Sequence, residues 1–284
     1  MITKNPMQLK AIIKNKAKKS NITPQAALQV YCLERLLERI SMSDKASCFI
    51  LKGGFLISSF IGIENRSTMD IDTTIKGFDV TKENVAEIFK SICQIHIDDQ
   101  LNFLFDRVDD IRETDEYPGI RVFLHAIYGI INTTITVDVT TGDSIVPSEI
   151  KYMYHCVYDD KTINIMAYPL ENVLAEKLET IISRGIANTR PRDFYDVYIL
   201  SKLKFDDINW KTLKQALEST SKKRNSETVL ADYKNVIESL KSDDFQHEYW
   251  NRYEAKTPFI KGITYEQTLK AVEDCLINLM QIEI

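Results

Sequence analysis

Residues 51–77 read LKGGFLISSFIGIENRSTMDIDTTIKG, and no other stretch of the 284-residue chain restricts its fold as tightly. The apolar run Cys48-Phe49-Ile50-Leu51 suits a buried strand, breaks at Gly53-Gly54, and continues into a helical pattern over 55–61. Residues 67–75 read as a second strand, with Met69 and Ile71 on one face and Asp70 and Asp72 on the other. Side chains at i and i+2 of a strand share a face, so the two aspartates project together, their Cα atoms about 6.5–7 Å apart. Carboxylates that close repel each other, and a divalent cation, Mg2+ or Mn2+, offsets the repulsion. Asp138, in ITVDVTTGD, lies on a later strand with Val137 and Val139 facing the other way. Neighbouring strands run about 4.8 Å apart, so Asp138 reaches the same metal if its strand pairs nearby. Gly53-Gly54 lets backbone approach a phosphate, at a helix start with free N–H groups and a positive dipole end. A lone Gly-Gly is usually a turn, and a lone D-x-D a solvated strand end. The order strand, Gly-Gly, helix, D-x-D and later strand aspartate is far more specific.

Around this segment the chain changes character twice. Thr23-Pro24 supplies an N-cap and a first-turn proline, and Ala26, Val30, Leu33, Leu37 and Ile40 recur at helical spacing. Residues 81–97 suggest another helix. Residues 101–108, 120–128, 133–139 and 162–166 are rich in branched and aromatic side chains and read as strands, with Tyr128-Gly129 turning one back into the next. From Pro169 onward the pattern is helical, over 170–183, 193–203, 210–217, 228–240 and 265–280. The expected class is α+β: a mixed-sheet domain with flanking helices over residues 1–168, followed by an α-helical domain over 169–284.

Composition excludes several function classes. A hydrophobic content of 44% with 27% charged residues argues against disorder. No run approaches the roughly 20 apolar residues of a membrane span, and MITKNPMQLK lacks an apolar signal core, so a cytoplasmic location without membrane association is expected. Five scattered cysteines without a CxxC pair, and four dispersed histidines, fit neither a zinc site nor a disulfide framework. Net charge is −5, yet Lys4, Lys10, Lys14, Lys16, Lys18 and Lys19 fall in the first twenty residues with no acidic neighbour. That face is either a nucleic-acid contact or a solvated helix surface. No exposed heptad seam is present, so a monomer is expected.

The acidic strand and its glycine turn resemble the nucleotidyltransferase fold of the DNA polymerase β type. More narrowly, the chain resembles the AbiEii/AbiGii toxin family, the toxin half of AbiE abortive-infection and toxin–antitoxin systems. The matching pieces are LKGG at 51–54, R-x-T-x-D-I-D at 66–72, VDVTTGD at 137–143, AEKLET at 175–180 and RPRDFYDVYIL at 190–200. The resemblance implies transfer of a nucleoside monophosphate from an NTP (GTP or a pyrimidine triphosphate) with pyrophosphate leaving. It implies an RNA acceptor such as a tRNA 3′ end, a phage-defence role, and a separately encoded antitoxin that forms no tight complex. Asp70 and Asp72 match the metal-binding pair, with Asp138 as the third carboxylate. Gly53, Gly54 and Thr68 match the nucleotide-binding segment, and Arg66 is a phosphate ligand or a brace for the acidic strand. Gly54 stands where many nucleotidyltransferases have serine. Lys177 matches a triphosphate-contacting lysine, although between Glu176 and Glu179 it also reads as a surface helix charge. Asp193 and Asp196 match acidic residues implicated in activity, while Asp193 could equally cap a helix. Ser183, Arg184, Arg190, Arg192, Lys222, Lys223 and Arg224 join the N-terminal lysines as RNA contacts. A protein acceptor, or a non-catalytic nucleotide sensor, remains open on the same residues.

Overall fold

The computed structural model describes residues 3–111 and 119–282. They form two compact units, one of Met1–Gly142 with Ile150–Ala167, the other of Asp143–Glu149 with Tyr168–Ile284.

In the first unit, α1 (Pro6–Lys19) begins with Asn5 accepting the Gln8 N–H, and α2 (Pro24–Met42) with Thr23 accepting the Ala26 N–H. Both carry proline in the first turn, where a missing N–H costs nothing. Then follow β1 (Phe49–Lys52), α3 (Gly53–Ile61), β2 (Asp70–Ile75), α4 (Lys82–Cys93), β3 (Asn102–Asp110), β4 (Ile120–Tyr128), β5 (Ile131–Thr141), β6 (Ile150–His155) and β7 (Thr162–Ala167). The strands make one mixed sheet in the order β3-β4-β5-β2-β1-β7-β6. β2 runs parallel to β5 and antiparallel to β1, which is parallel to β7. Ile135, Val137 and Val139 of β5 are fully buried, and α2 packs against β5 and β7. The alternate residues, Thr136 and Asp138, face away from this core and are only partly covered.

Two polar anchors fix α2 on the sheet. Gln29 Nε2 donates to the carbonyls of Met69 (2.7 Å) and Thr134 (3.1 Å), which holds the backbone just before Asp70. Arg39 grips Asp99 through two bonds of 2.7 and 2.9 Å and also donates to the Leu101 carbonyl, with both side chains buried. That geometry satisfies a pair of charges that would otherwise be costly to bury.

The expected strand over 67–75 starts only at Asp70. Arg66 and Thr68 turn inward beneath Gly54, which takes Met69 out of the strand and leaves it 46% exposed. β6 has no counterpart among the expected strands. It sits at the sheet edge with only Tyr154 buried, so no apolar alternation marks it.

The second unit is helical: α5 (Leu170–Arg184), α6 (Pro191–Leu203), α7 (Trp210–Lys223), α8 (Glu227–Ala231), α9 (Tyr233–Lys241), α10 (Asp244–Lys256) and α11 (Tyr265–Gln281). α5 packs on α6 and α7, and α6 packs on α11. Leu174, Leu178, Phe194, Val197, Leu213, Val272 and Leu276 fill the core. The single helix expected over 228–240 is two, broken at Asp232. α10 was not expected, because only Gln246 and Trp250 of its thirteen residues are buried and no apolar stripe forms. Among the described residues, no helix is long and apolar enough to cross a membrane.

Candidate active site

Strand register builds the acidic centre. Asp72 of β2 lies opposite Asp138 of the parallel β5, and Asp138 lies opposite Arg121 of the antiparallel β4. Register partners share a face, so the row runs Asp109, Arg121, Asp138, Asp72, Lys52 across β3, β4, β5, β2 and β1. Asp70, two residues before Asp72, shares that face. One carboxylate oxygen from each of Asp70, Asp72 and Asp138 can be chosen so that all lie within 4.8 Å of one another. Three partly exposed carboxylates at this spacing are a hard oxygen donor set of the kind a divalent cation takes.

Arg121 binds Asp138 through Nε–Oδ1 and Nη2–Oδ2, both 2.7 Å. The hydrogen bond to Asp138 raises the guanidinium's pKa further, and the charges of Asp70 and Asp72 add to it. Thr68 Oγ1 donates to Asp70 Oδ1 at 2.7 Å. Asp138 is thus clamped by Arg121 beside Asp70 and Asp72.

β1 delivers the chain to the glycine turn. Gly53 sits at φ +68°, a left-handed conformation that favours glycine, and a Cβ there would meet Asp72 Oδ2 at 2.0 Å. Lys52, the N-cap of α3, makes no side-chain cap. The Gly54 N–H approaches Asp72 Oδ2 at 3.4 Å. A Cβ on Gly54 would lie 3.0 Å from both Arg66 Nη2 and Thr68 Oγ1, so a side chain there would require these neighbours to shift by a few tenths of an ångström. Arg66 is 6% exposed beneath this turn and bonds the Ser67 carbonyl, the position of a brace.

In the second unit, Lys177 of α5 reaches Asp193 Oδ1 at 2.6 Å and Asp196 Oδ2 at 3.1 Å on α6. The two aspartates are buried, while Lys177 keeps 17% of its side chain exposed. Lys177 is therefore not a plain surface charge. Its neighbours Glu176 and Glu179 bind Arg224 instead. Nor is Asp193 an N-cap: Pro191 starts the helix two residues earlier, Arg190 caps it, and Asp193 falls in the first turn. Arg224 is held by Glu176, Glu179 and Thr180, with 38% of its side chain exposed.

Arg121 was not singled out from sequence. The signal was available: a two-residue turn at Gly129-Ile130 pairs Tyr128 with Ile131, and counting back along both strands sets Arg121 opposite Asp138.

A mixed sheet that carries a D-x-D, a third carboxylate beside it and a glycine strand–helix turn defines a nucleotidyltransferase. The family described as nucleotidyl transferase AbiEii toxin, Type IV TA system, matches residues 35–276, and the chain belongs to it. It is accordingly a toxin–antitoxin nucleotidyltransferase that acts on an NTP and is paired with a separate antitoxin. Two solved structures from Helicobacter pylori share the fold. One, described as a candidate nucleotidyltransferase, has a TM-score of 0.55 at 13% identity and covers 91% of this chain and 96% of its own. The other, JHP933, has a TM-score of 0.54 at 16% identity, with coverage of 90% and 92%. No curated protein matches the sequence significantly.

Proposed function

We propose that the protein transfers a nucleoside monophosphate from an NTP to a hydroxyl of RNA, with the 3′ end of tRNA as the leading acceptor. The observation that carries this reading is the three-carboxylate centre next to the glycine start of α3. The acceptor oxygen attacks the α-phosphorus, the bond from that phosphorus to the α,β-bridging oxygen breaks, and pyrophosphate departs. Asp70 and Asp72 would hold Mg2+ or Mn2+, which when bound supplies charge neutralisation at the phosphates and acidifies the attacking hydroxyl. Gly53 and Gly54 let the phosphates approach the start of α3. Thr68 orients Asp70 through its 2.7 Å bond, and Arg66 braces the turn from below.

Lys177 serves as a phosphate ligand. Asp193 and Asp196 act as positioning residues that fix its ammonium, since both carboxylates are buried against it. RNA as acceptor is supported by α1, which contains no acidic residue. Lys10, Lys14 and Lys18 are exposed along one side of it, and none makes an ion pair with a described residue. The helix's apolar residues Leu9, Ile13 and Ala17 are already buried in the protein, which leaves Met7 as its exposed large apolar side chain. Growth arrest in a phage-defence setting follows if the modified RNA is tRNA.

The test is incubation with α-phosphate-labelled NTPs, Mg2+ and total RNA. Labelled RNA is the expected product. Label on protein instead moves the acceptor, and nucleotide binding without any transfer leaves a sensor.

A further inference from the structure

The clamp on Asp138 points beyond the acidic pair. Asp138 is the third carboxylate of the centre, yet each of its oxygens accepts a 2.7 Å bond from Arg121. A guanidinium and a divalent cation that share one carboxylate repel each other over a few ångströms, so each weakens the other's hold. Without Arg121, three carboxylates within 4.8 Å of one another would lose the bidentate cation on Asp138. Arg121 is 42% exposed, and its register partner on the other side is Asp109 of β3, 52% exposed and paired with Arg107 at 3.0 Å. The row therefore places a second carboxylate, one shared with Arg107, one strand from the guanidinium.

We propose that Arg121 is a built-in counter-cation: it occupies Asp138 in the metal-free protein and gives Asp138 up when a divalent cation binds. This rests on reading Asp70, Asp72 and Asp138 as the metal centre. Arg121 acts as a positioning residue that sets metal affinity and keeps Asp138 in place before the cation arrives.

The test is Mn2+ binding to the full-length protein, followed by the electron paramagnetic resonance signal of free Mn2+. Arg121→Gln should bind Mn2+ on the order of tenfold more tightly than wild type, because a charge-assisted bidentate pair no longer competes. Arg121→Lys, which keeps the charge but loses the fork, should fall between them. Without metal, Arg121→Gln should melt below wild type, and saturating Mn2+ should restore much of the difference. In an Asp138→Asn background, Arg121→Gln should change Mn2+ affinity far less. Unchanged or weaker Mn2+ binding in Arg121→Gln overturns the exchange, as does an equal effect in the Asp138→Asn background. A wild type that binds no Mn2+, or whose binding survives Asp70→Asn, instead overturns the metal centre itself, so the two failures are distinguishable.

Discussion

A methyl group on Gly53 would lie 2.0 Å from Asp72 Oδ2, so the glycine turn and the acidic strand are one steric unit. Gly53→Ala must displace the carboxylate or unwind the start of α3, and it also strains a φ of +68°. The expected stability loss is about 1–2 kcal/mol. Transfer should slow roughly a hundredfold, the scale of an ångström-sized misplacement. Initial rates beside thermal melts check this, and a near-wild-type rate would show that Asp72 is not held by the turn.

Lys177→Met should cost about 3–5 kcal/mol, because it removes the ammonium that pairs with two buried carboxylates, whereas Asp196→Asn should cost less. Urea melts decide between them. Lys177→Met combined with Asp193→Asn and Asp196→Asn should recover stability but not transfer, which separates the packing of the triad from the function of its ammonium.

Glu34 gives a pH signature. It is fully buried on α2, accepts from Tyr154 Oη and the Val157 N–H, and burial pushes its carboxyl up to about 7. The folded state holds this proton more tightly than the unfolded chain does. Its contribution is thus complete below about pH 4.5 and is lost as pH rises toward and through about 7. Glu34→Gln should flatten that loss and raise stability at pH 8 by about 1–3 kcal/mol relative to wild type. Melts at pH 5 and pH 8 test it; an equal gain at both values would assign the effect to packing.

Replacing Lys10, Lys14 and Lys18 with glutamine should weaken RNA binding at low salt and reduce the slope of log K against log salt by up to about 0.7 per lysine lost. NTP affinity should stay unchanged. An unaltered salt slope would return α1 to a solvated surface.

Much of this arrangement is legible in the chain because it is local. Asp70 and Asp72 share a face by strand alternation alone, and Gly53-Gly54 breaks an apolar run where a helix begins. The strands flanking Gly129-Ile130 are alternating enough to be read to within a few residues. The β2–β5 contact is not local: it joins segments some sixty residues apart in an order that no periodicity encodes, so Asp138's place beside Asp72 was only conditional. Arg121 escaped because its meaning depends on register rather than on residue type. β6 and α10 escaped because an edge strand and a mostly exposed helix bury too few side chains to leave a pattern.

The central claim is that Asp70 and Asp72 hold the cation that makes this chain a nucleotidyltransferase. The most direct measurement is the initial rate of α-phosphate label transfer to total RNA by wild type, Asp70→Asn and Asp72→Asn, each checked for an unchanged melting profile. Wild type should label RNA only with Mg2+ or Mn2+ present, and each folded variant should lose transfer by about a thousandfold or more. Transfer by Asp70→Asn at the wild-type rate, or label transfer that persists in excess chelator, would contradict it.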